Sequence, residues 1–307
     1  MTLLEKIASD LKVDLTYISK IANRSRFYYR TYKIPKRSGA GEREISQPSP
    51  ELKTLQYWVS KNILSKLPVA DSAKAYKKGD SIKKHALAHR KSRYIFHADV
   101  SNFFPSIKME HLEPILRSNQ QIFDDLKIDV EQSLKEICQI CFKDNSLCIG
   151  SVTAPIISNI IMYEFDSQVS AYCISIGCVY TRYADDIYIS SVSYINDAVK
   201  KYILAKLKEL GFTMNIKKTR FYSQKYRQKI TGVVLTTERQ VSVGTENRNK
   251  IKKMVYEKLT KNKGNSETIL GYLAFLKDIE PHTYNNLIIK YSKYWTCSCK
   301  NYLRLSC

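Results

Sequence analysis

VYTRYADDIYIS, Val179 to Ser190, is the stretch that decides the fold. Apolar and aromatic residues flank Asp185 and Asp186 on both sides, which predicts two strands meeting at a hairpin turn with the acidic pair at its tip. Adjacent carboxylates repel and resist joint ionisation unless a cation lies between them. Aspartate is also a favoured turn residue, so the doublet taken alone is more often a solvated turn.

Outward from the hairpin, a third carboxylate changes that balance. Asp99 closes the β-rich run Tyr94 to Asp99 and is followed by Val100-Ser101-Asn102-Phe103-Phe104-Pro105-Ser106. An acid at a strand end can reach a neighbouring hairpin, whereas a lone acid inside a β run is unusual. Three such carboxylates suit two Mg2+ ions about 3.5–4 Å apart, the arrangement that activates a hydroxyl and stabilises a leaving pyrophosphate. On this reading Asp99 and Asp185 bridge the ions, and Asp186 helps hold the second. Phe104 is either a wall beneath an incoming sugar, excluding a ribose 2′-hydroxyl, or a core residue.

Charge narrows the partner. Lys and Arg number 50 against 29 Asp and Glu, a formal net charge of +21. Such an excess suits a polyanion, because basic patches neutralise phosphates and release condensed counterions. Anionic lipid would ask for a basic amphipathic helix or a lipidation motif, and neither is visible. The 22 Tyr fit a nucleic-acid partner, since exposed aromatics stack on bases. No apolar run is long enough to span a membrane, and Met1 to Leu15 carries acids without a signal-peptide core, so a cytoplasmic protein is expected.

Element patterns alternate irregularly. Residues 1–25 read as two short helices, with Asp14 capping the second; a packing appendage is favoured over a DNA-reading helix-turn-helix. Tyr28 to Ile34 and Arg43 to Ile45 read as strands around a Gly-rich tip, Lys36 to Gly41. Pro48 to Leu67 and Ala154 to Ser175 read as helices, as does Asp197 to Leu210. Phe212 to Asn215 and Lys229 to Leu235 read as strands, and 245–307 as mainly helical. Without a regular βα repeat, the expected class is α+β. Residues 239–307 carry 13 Lys and Arg against 5 Asp and Glu, which suits a clamp on a nucleic-acid duplex.

Two constellations could bind metal. Cys138 and Cys141 form a C-x-x-C, and Cys297 and Cys299 lie near the end, but the first pair sits in a helical apolar pattern and reads as reduced, buried thiols. His85 and His89 share a helix face at i and i+4 with no evident third ligand. His97, His111 and His282 read as packing or surface residues.

The ordered series Asp99-x-x-x-Phe103-Phe104-Pro105-Ser106, Gly150-Ser151-x-x-Ala154-Pro155, Tyr183-Ala184-Asp185-Asp186, Asn215-x-x-Lys218-Thr219 and Thr231-Gly232 resembles reverse transcriptases, and bacterial retron enzymes most closely. The resemblance runs from about residue 28 to 240. It implies a right-hand polymerase: an appendage over 1–25, fingers and a palm with an antiparallel sheet over 26–240, and a helical basic thumb over 241–307 that binds RNA or duplex. It implies two Mg2+ ions, replaceable by Mn2+, on Asp99, Val100, Asp185 and Asp186. Lys36 and Arg43 would grip the dNTP triphosphate, as a fixed guanidinium and an ammonium beside a flexible tip suit a phosphate clamp. Phe104 and Lys218 would complete the nucleotide site. Cys148-Ile149-Gly150 stands where the family has Pro-Gln-Gly, so the glutamine contact to the nucleotide is missing. Thr231 and Gly232 resemble the Val-Thr-Gly signature of retron RNA recognition, with Ile230 for Val, and His85 to His89 resembles the retron Asn-Ala-x-x-His element.

The implied activity is RNA-directed DNA synthesis on the protein's own structured noncoding RNA, primed from a guanosine 2′-hydroxyl. The product would be branched multicopy single-stranded DNA serving antiphage defence with an effector protein. The rivals are another bacterial reverse transcriptase, such as a group II intron maturase, and a noncatalytic RNA-binding or antitoxin protein on a polymerase scaffold. The stretch after Gly232 is short for the extra domains of the first, and three retained carboxylates argue against the second.

Overall fold

The computed structural model describes residues 1–36 and 41–292. Its helices are α1 (Leu3–Leu11), α2 (Leu15–Asn23), α3 (Pro50–Asn62), α4 (Ile82–Ala88), α5 (Phe103–Ser106), α6 (Met109–Arg117), α7 (Gln121–Leu126), α8 (Val130–Cys141), α9 (Ala154–Ile161), α10 (Tyr163–Ser175), α11 (Asp197–Glu209), α12 (Thr245–Lys261), α13 (Ser266–Ile279) and α14 (Pro281–Tyr291). The strands are β1 (Tyr29–Pro35), β2 (Glu42–Pro48), β3 (Tyr94–Asp99), β4 (Val179–Tyr183), β5 (Asp186–Ser191), β6 (Arg220–Ser223), β7 (Gln228–Ile230), β8 (Val233–Leu235) and β9 (Val241–Ser242). They form a β1-β2 hairpin, a sheet in the order β4-β5-β3-β6, and a β7-β8-β9 meander. The class is α+β.

The chain divides into two compact units, one of residues 1–78, 96–189 and 196–220, the other of 79–95, 190–195 and 221 onward. The boundaries expected at 25/26 and 240/241 are not where packing divides it: the N-terminal helices belong with the first unit, and residues after 240 share theirs with 79–95.

In the first unit, Thr2 and Glu5 form a capping box on α1, and Asp14 caps α2. Leu3, Leu4, Ile7, Ile18 and Ile21 are buried, and the Leu4 amide donates to the Glu136 carboxylate on α8 (3.2 Å). The helical pair therefore buries its apolar stripe within the first unit. Strands β1 and β2 pair Ile34 opposite Arg43. The single helix expected over Ala154 to Ser175 breaks at Met162, whose backbone leaves the helical region (ψ 1°). Apolar periodicity reports burial, and Met162 is wholly buried, so the break left no polar mark in the sequence. Phe212 to Asn215 is not a strand: Met214 makes one isolated bridge with Val100, and Phe212 and Met214 alternate inward without a ladder.

In the second unit, the strand expected over Lys229 to Leu235 is a hairpin, β7 and β8, registered Ile230 opposite Val233. Thr231 and Gly232 form its two-residue turn with φ 44° and 90°. Positive φ at both central positions gives the turn whose twist matches the flanking strands. Helix α4 packs on β8 and β9. Glu280, the residue just before α14, accepts from Ser242 (2.8 Å), the Val243 amide (2.7 Å) and Arg248 Nε (2.7 Å), and so ties α12 to the end of the meander.

Candidate active site

The acidic pair lies where the alternation predicted. Strand β4 ends at Tyr183, Ala184 turns in the left-handed region (φ 56°), and Asp186 begins β5. A non-glycine residue there costs on the order of 1–3 kcal/mol and persists only when its surroundings hold it. Two bonds do so: Arg182 Nη1 donates to the Ala184 carbonyl (2.9 Å), and the Val100 amide donates to the Asp185 carbonyl (2.9 Å). The second bond sets the end of β3, with Asp99, directly against the turn. Asp99 is buried, its carbonyl accepts from the Asn215 amide (2.7 Å), and its carboxylate accepts from Lys218 Nζ (2.8 Å). Asp186 is hydrogen-bonded to His97 Nε2 (2.7 Å), whose ring stacks on Tyr188. His97 is thus part of the site, a correction to its reading as an ordinary histidine. Its place two residues before Asp99 was the available signal.

Burial, then the carboxylates of Asp186 and Asp99, push the Asp185 carboxyl up to about 6, against the weaker pull of Lys218. Among the described residues, no group of three His, Cys, Asp or Glu encloses a metal position; Asp99 is hydrogen-bonded to Lys218 and Asp186 to His97. The donor set nevertheless fits a hard divalent cation: carboxylate oxygens, with Lys218 holding one of them as a cation does. A pH prediction follows. Because the folded state binds the proton more tightly than the unfolded chain, stability of the metal-free protein falls as pH rises from about 4 to about 6, by up to about 3 kcal/mol from this group. Asp185→Asn should abolish that part of the slope and raise the melting midpoint at pH 8. Identical pH–stability curves for the two proteins would refute it.

The expected nucleotide residues are distributed unequally. Phe104 is half-buried while Phe103 takes the core position against Phe212 (5.9 Å between centroids), so Phe104 is not the core residue of the pair. Its ring faces Tyr76 at 6.4 Å. Tyr76, unremarked in the sequence, has φ 62° and is about half exposed. Burial raises its hydroxyl pKa, the Asp185 charge adds to this, and Arg43 opposes it, so Arg43 and Asp185 both act on one tyrosine. Lys218 sits on Asp99. Lys36 is exposed at the hairpin tip, its amide donating to the Gly41 carbonyl (3.0 Å), and Arg37 to Ala40 lie outside the described residues. No side-chain bond among the described residues brings Lys36 to the carboxylates. Gly150 (φ 108°) lies so close to β2 that a Cβ would stand 3.0 Å from the Ser46 carbonyl oxygen, and Ser46 donates to the Ile149 carbonyl (2.8 Å). The segment that lacks the family glutamine is therefore seated through its backbone.

Within the second unit, Thr231 Oγ1 is hydrogen-bonded to His85 Nδ1 (2.9 Å), so the two retron-like elements meet. That bond holds the hydroxyl of a β-branched residue in an unfavourable turn conformation. His85 and His89 meet edge to face, and His89 Nδ1 bonds Ser190 (2.7 Å). Burial pushes His89 down to about 3, which keeps it neutral. Cys138 and Cys141 lie on α8, and burial raises Cys141 to about 12. Cys297, Cys299 and Cys307 fall outside the described residues.

A strand-end aspartate thus stands beside an acidic hairpin, with a lysine on the first acid. The family model described as reverse transcriptase (RNA-dependent DNA polymerase) matches residues 34–235. The retron Ec73 reverse transcriptase of Escherichia coli is 34% identical over 85% of this chain and 86% of its own, and the retron Ec86 enzyme of the same organism is 31% identical over 87% and 81%. The chain belongs to the reverse transcriptase family and is of the bacterial retron type; it is an RNA-directed DNA polymerase. Among solved structures, apo telomerase from Candida tropicalis matches with a TM-score of 0.54 at 13% identity over 91% of this chain, which shows the right-hand polymerase fold alone. The chain spans about three fifths (61%) of that telomerase chain. No described helix is long and apolar enough to cross a membrane.

Proposed function

We propose that the chain copies part of its own structured noncoding RNA into DNA, primed from a guanosine 2′-hydroxyl, to give branched multicopy single-stranded DNA used in antiphage defence with an effector protein. The observation that carries the catalytic part is the Val100–Asp185 main-chain bond, which puts Asp99 beside the Asp185-Asp186 turn. Asp99, Asp185 and Asp186, with the main chain of Val100, would hold two Mg2+ ions, for which Mn2+ can substitute. When bound, these supply Lewis-acid activation of the attacking hydroxyl and stabilise the leaving pyrophosphate. Lys218, which holds the Asp99 carboxylate, would also neutralise the triphosphate. Arg43 on β2, with Lys36 at the tip, neutralises the outer phosphates of the dNTP. Electrostatic stabilisation from these fixed groups carries most of the rate.

Phe104, with Tyr76 beside it, walls the sugar. Phe104→Ala should raise the ratio of rNTP to dNTP incorporation by on the order of 10–100-fold, as opening a steric pocket does. Unchanged sugar discrimination in single-nucleotide extension would remove Phe104 from the site.

Support for an RNA partner comes from charge. In the second unit, Arg90, Lys225, Arg227 and Arg239 line a cavity of about 270 Å³ beside the exposed ring of Tyr226, near the ends of the meander that carries Thr231 and Gly232. Cations with an exposed ring suit phosphates and unstacked bases. The test is purification from the native host and sequencing of the bound nucleic acid. A short RNA–DNA hybrid with a 2′–5′ linkage is expected; bulk tRNA alone would overturn the proposal.

A further inference from the structure

The geometry points to Arg182, braced by Asp166, as the positioning residue of the catalytic turn, an inference that rests on the polymerase reading of Asp185 and Asp186. Arg182 and Asp166 are both wholly buried. The guanidinium grips the carboxylate with Nε (2.8 Å) and Nη2 (2.6 Å), and Nη2 also reaches Asn159 Oδ1 (3.2 Å). Tyr180 Oη donates to the same carboxylate (2.5 Å). One arm leaves this cluster: Nη1, which donates to the carbonyl of Ala184, the residue before Asp185.

That arm acts on the main chain of the turn. Ala184 stands in the left-handed region, and its carbonyl and the next one are the two groups that Arg182 and the Val100 amide hold. With both peptide planes fixed, the direction in which Asp185 leaves the backbone is fixed too. Only arginine offers enough donors in a rigid plane to bind both carboxylate oxygens and still present an N–H to a carbonyl; lysine, a single ammonium on a flexible stem, does not. The Arg182 main chain is itself pinned, its amide donating to Ser72 (2.8 Å) and its carbonyl accepting from Lys74 (2.7 Å). Asn159 continues the brace by donating to the Ala75 carbonyl (2.9 Å), next to Tyr76. One buried cluster thereby fixes both the acidic turn and the segment that carries the Tyr76 wall.

The experiment is primer extension on an RNA template, titrated with Mg2+. Arg182→Met with Asp166→Leu removes the pair without leaving an unpaired charge, the replacement a buried pair tolerates best. Its melting midpoint in metal-free buffer should stay within a few degrees of wild type. Its kcat should fall about 100-fold, as an ångström-scale misplacement costs, and its half-maximal Mg2+ concentration should rise about 10-fold, as loss of an orienting group does. Arg182→Lys should lie between, and dNTP KM should change less than about threefold. If the double variant does not fold, Arg182→Lys and Tyr180→Phe, scored per folded molecule, decide on the same Mg2+ readout. A folded variant with wild-type kcat and Mg2+ dependence, or a loss that only tracks the folded fraction, overturns the assignment. An inactive wild-type protein would instead overturn the polymerase reading on which it rests.

Discussion

Replacing Asp185 and Asp186 together with alanine should abolish dNTP incorporation, by at least about 10³-fold, while binding of structured RNA should stay measurable. A thousandfold loss corresponds to a barrier raised by about 4 kcal/mol, a modest demand on the side chains that would gather divalent cations at the reacting phosphate. RNA binding persists because the positive charge that draws a polyanion is spread over the chain, net +21, and the two removed charges are negative. The folded state persists as well, since one of the two carboxyls is already held up to about 6 by burial and by its acidic neighbours. Single-nucleotide extension and filter binding on the same preparation check both halves. Equal incorporation by wild type and double variant would remove the catalytic assignment, and joint loss of incorporation and RNA binding would point to a folding defect.

The second large effect is on stability. Arg182→Met alone leaves the Asp166 carboxylate buried without its cation, and breaking a buried pair from one side costs about 3–5 kcal/mol. For a unit of this size each kcal/mol shifts the midpoint by about 2–4 °C, so the single variant should melt roughly 10 °C or more below wild type. Adding Asp166→Leu should recover most of that loss, because the uncompensated charge goes with it. Thermal unfolding of the two singles and the double forms a closed cycle. Additive losses would show that Arg182 and Asp166 act independently despite their 2.6 Å contact.

These two predictions draw on different parts of the record. Asp185 and Asp186 were legible because a hairpin needs only local alternation and a turn, both written in consecutive residues. Asp99 was legible because a strand-end acid breaks a local pattern. Arg182, by contrast, sits in the same quoted stretch and passed without comment. Its partners Asp166 and Asn159 lie on separate helices, and nothing local marks a strand arginine as buried. His97 was passed over for the same reason: its role depends on Asp186, which sequence places far away and the sheet places beside it. The single helix over 154–175 failed where burial continued through the break at Met162, and the single strand over 229–235 failed at the two-residue turn of Thr231 and the exposed Gly232.

The sequence by itself determined the α+β class, the hairpin with its acidic pair, the capped helices at the N-terminus and the ordered motifs that place the chain among reverse transcriptases. The first three rest on periodicity and turn chemistry, which act over a few residues, and the motifs place the chain by their resemblance to a family. Only the tertiary structure decided which side chains stand against the carboxylates: Lys218 on Asp99, His97 on Asp186, and the Arg182 brace beneath Ala184. It also decided that Thr231 answers to His85. Those pairings join residues that are remote along the chain, and their energies depend on desolvation and hydrogen-bond geometry that exist only once the core has closed.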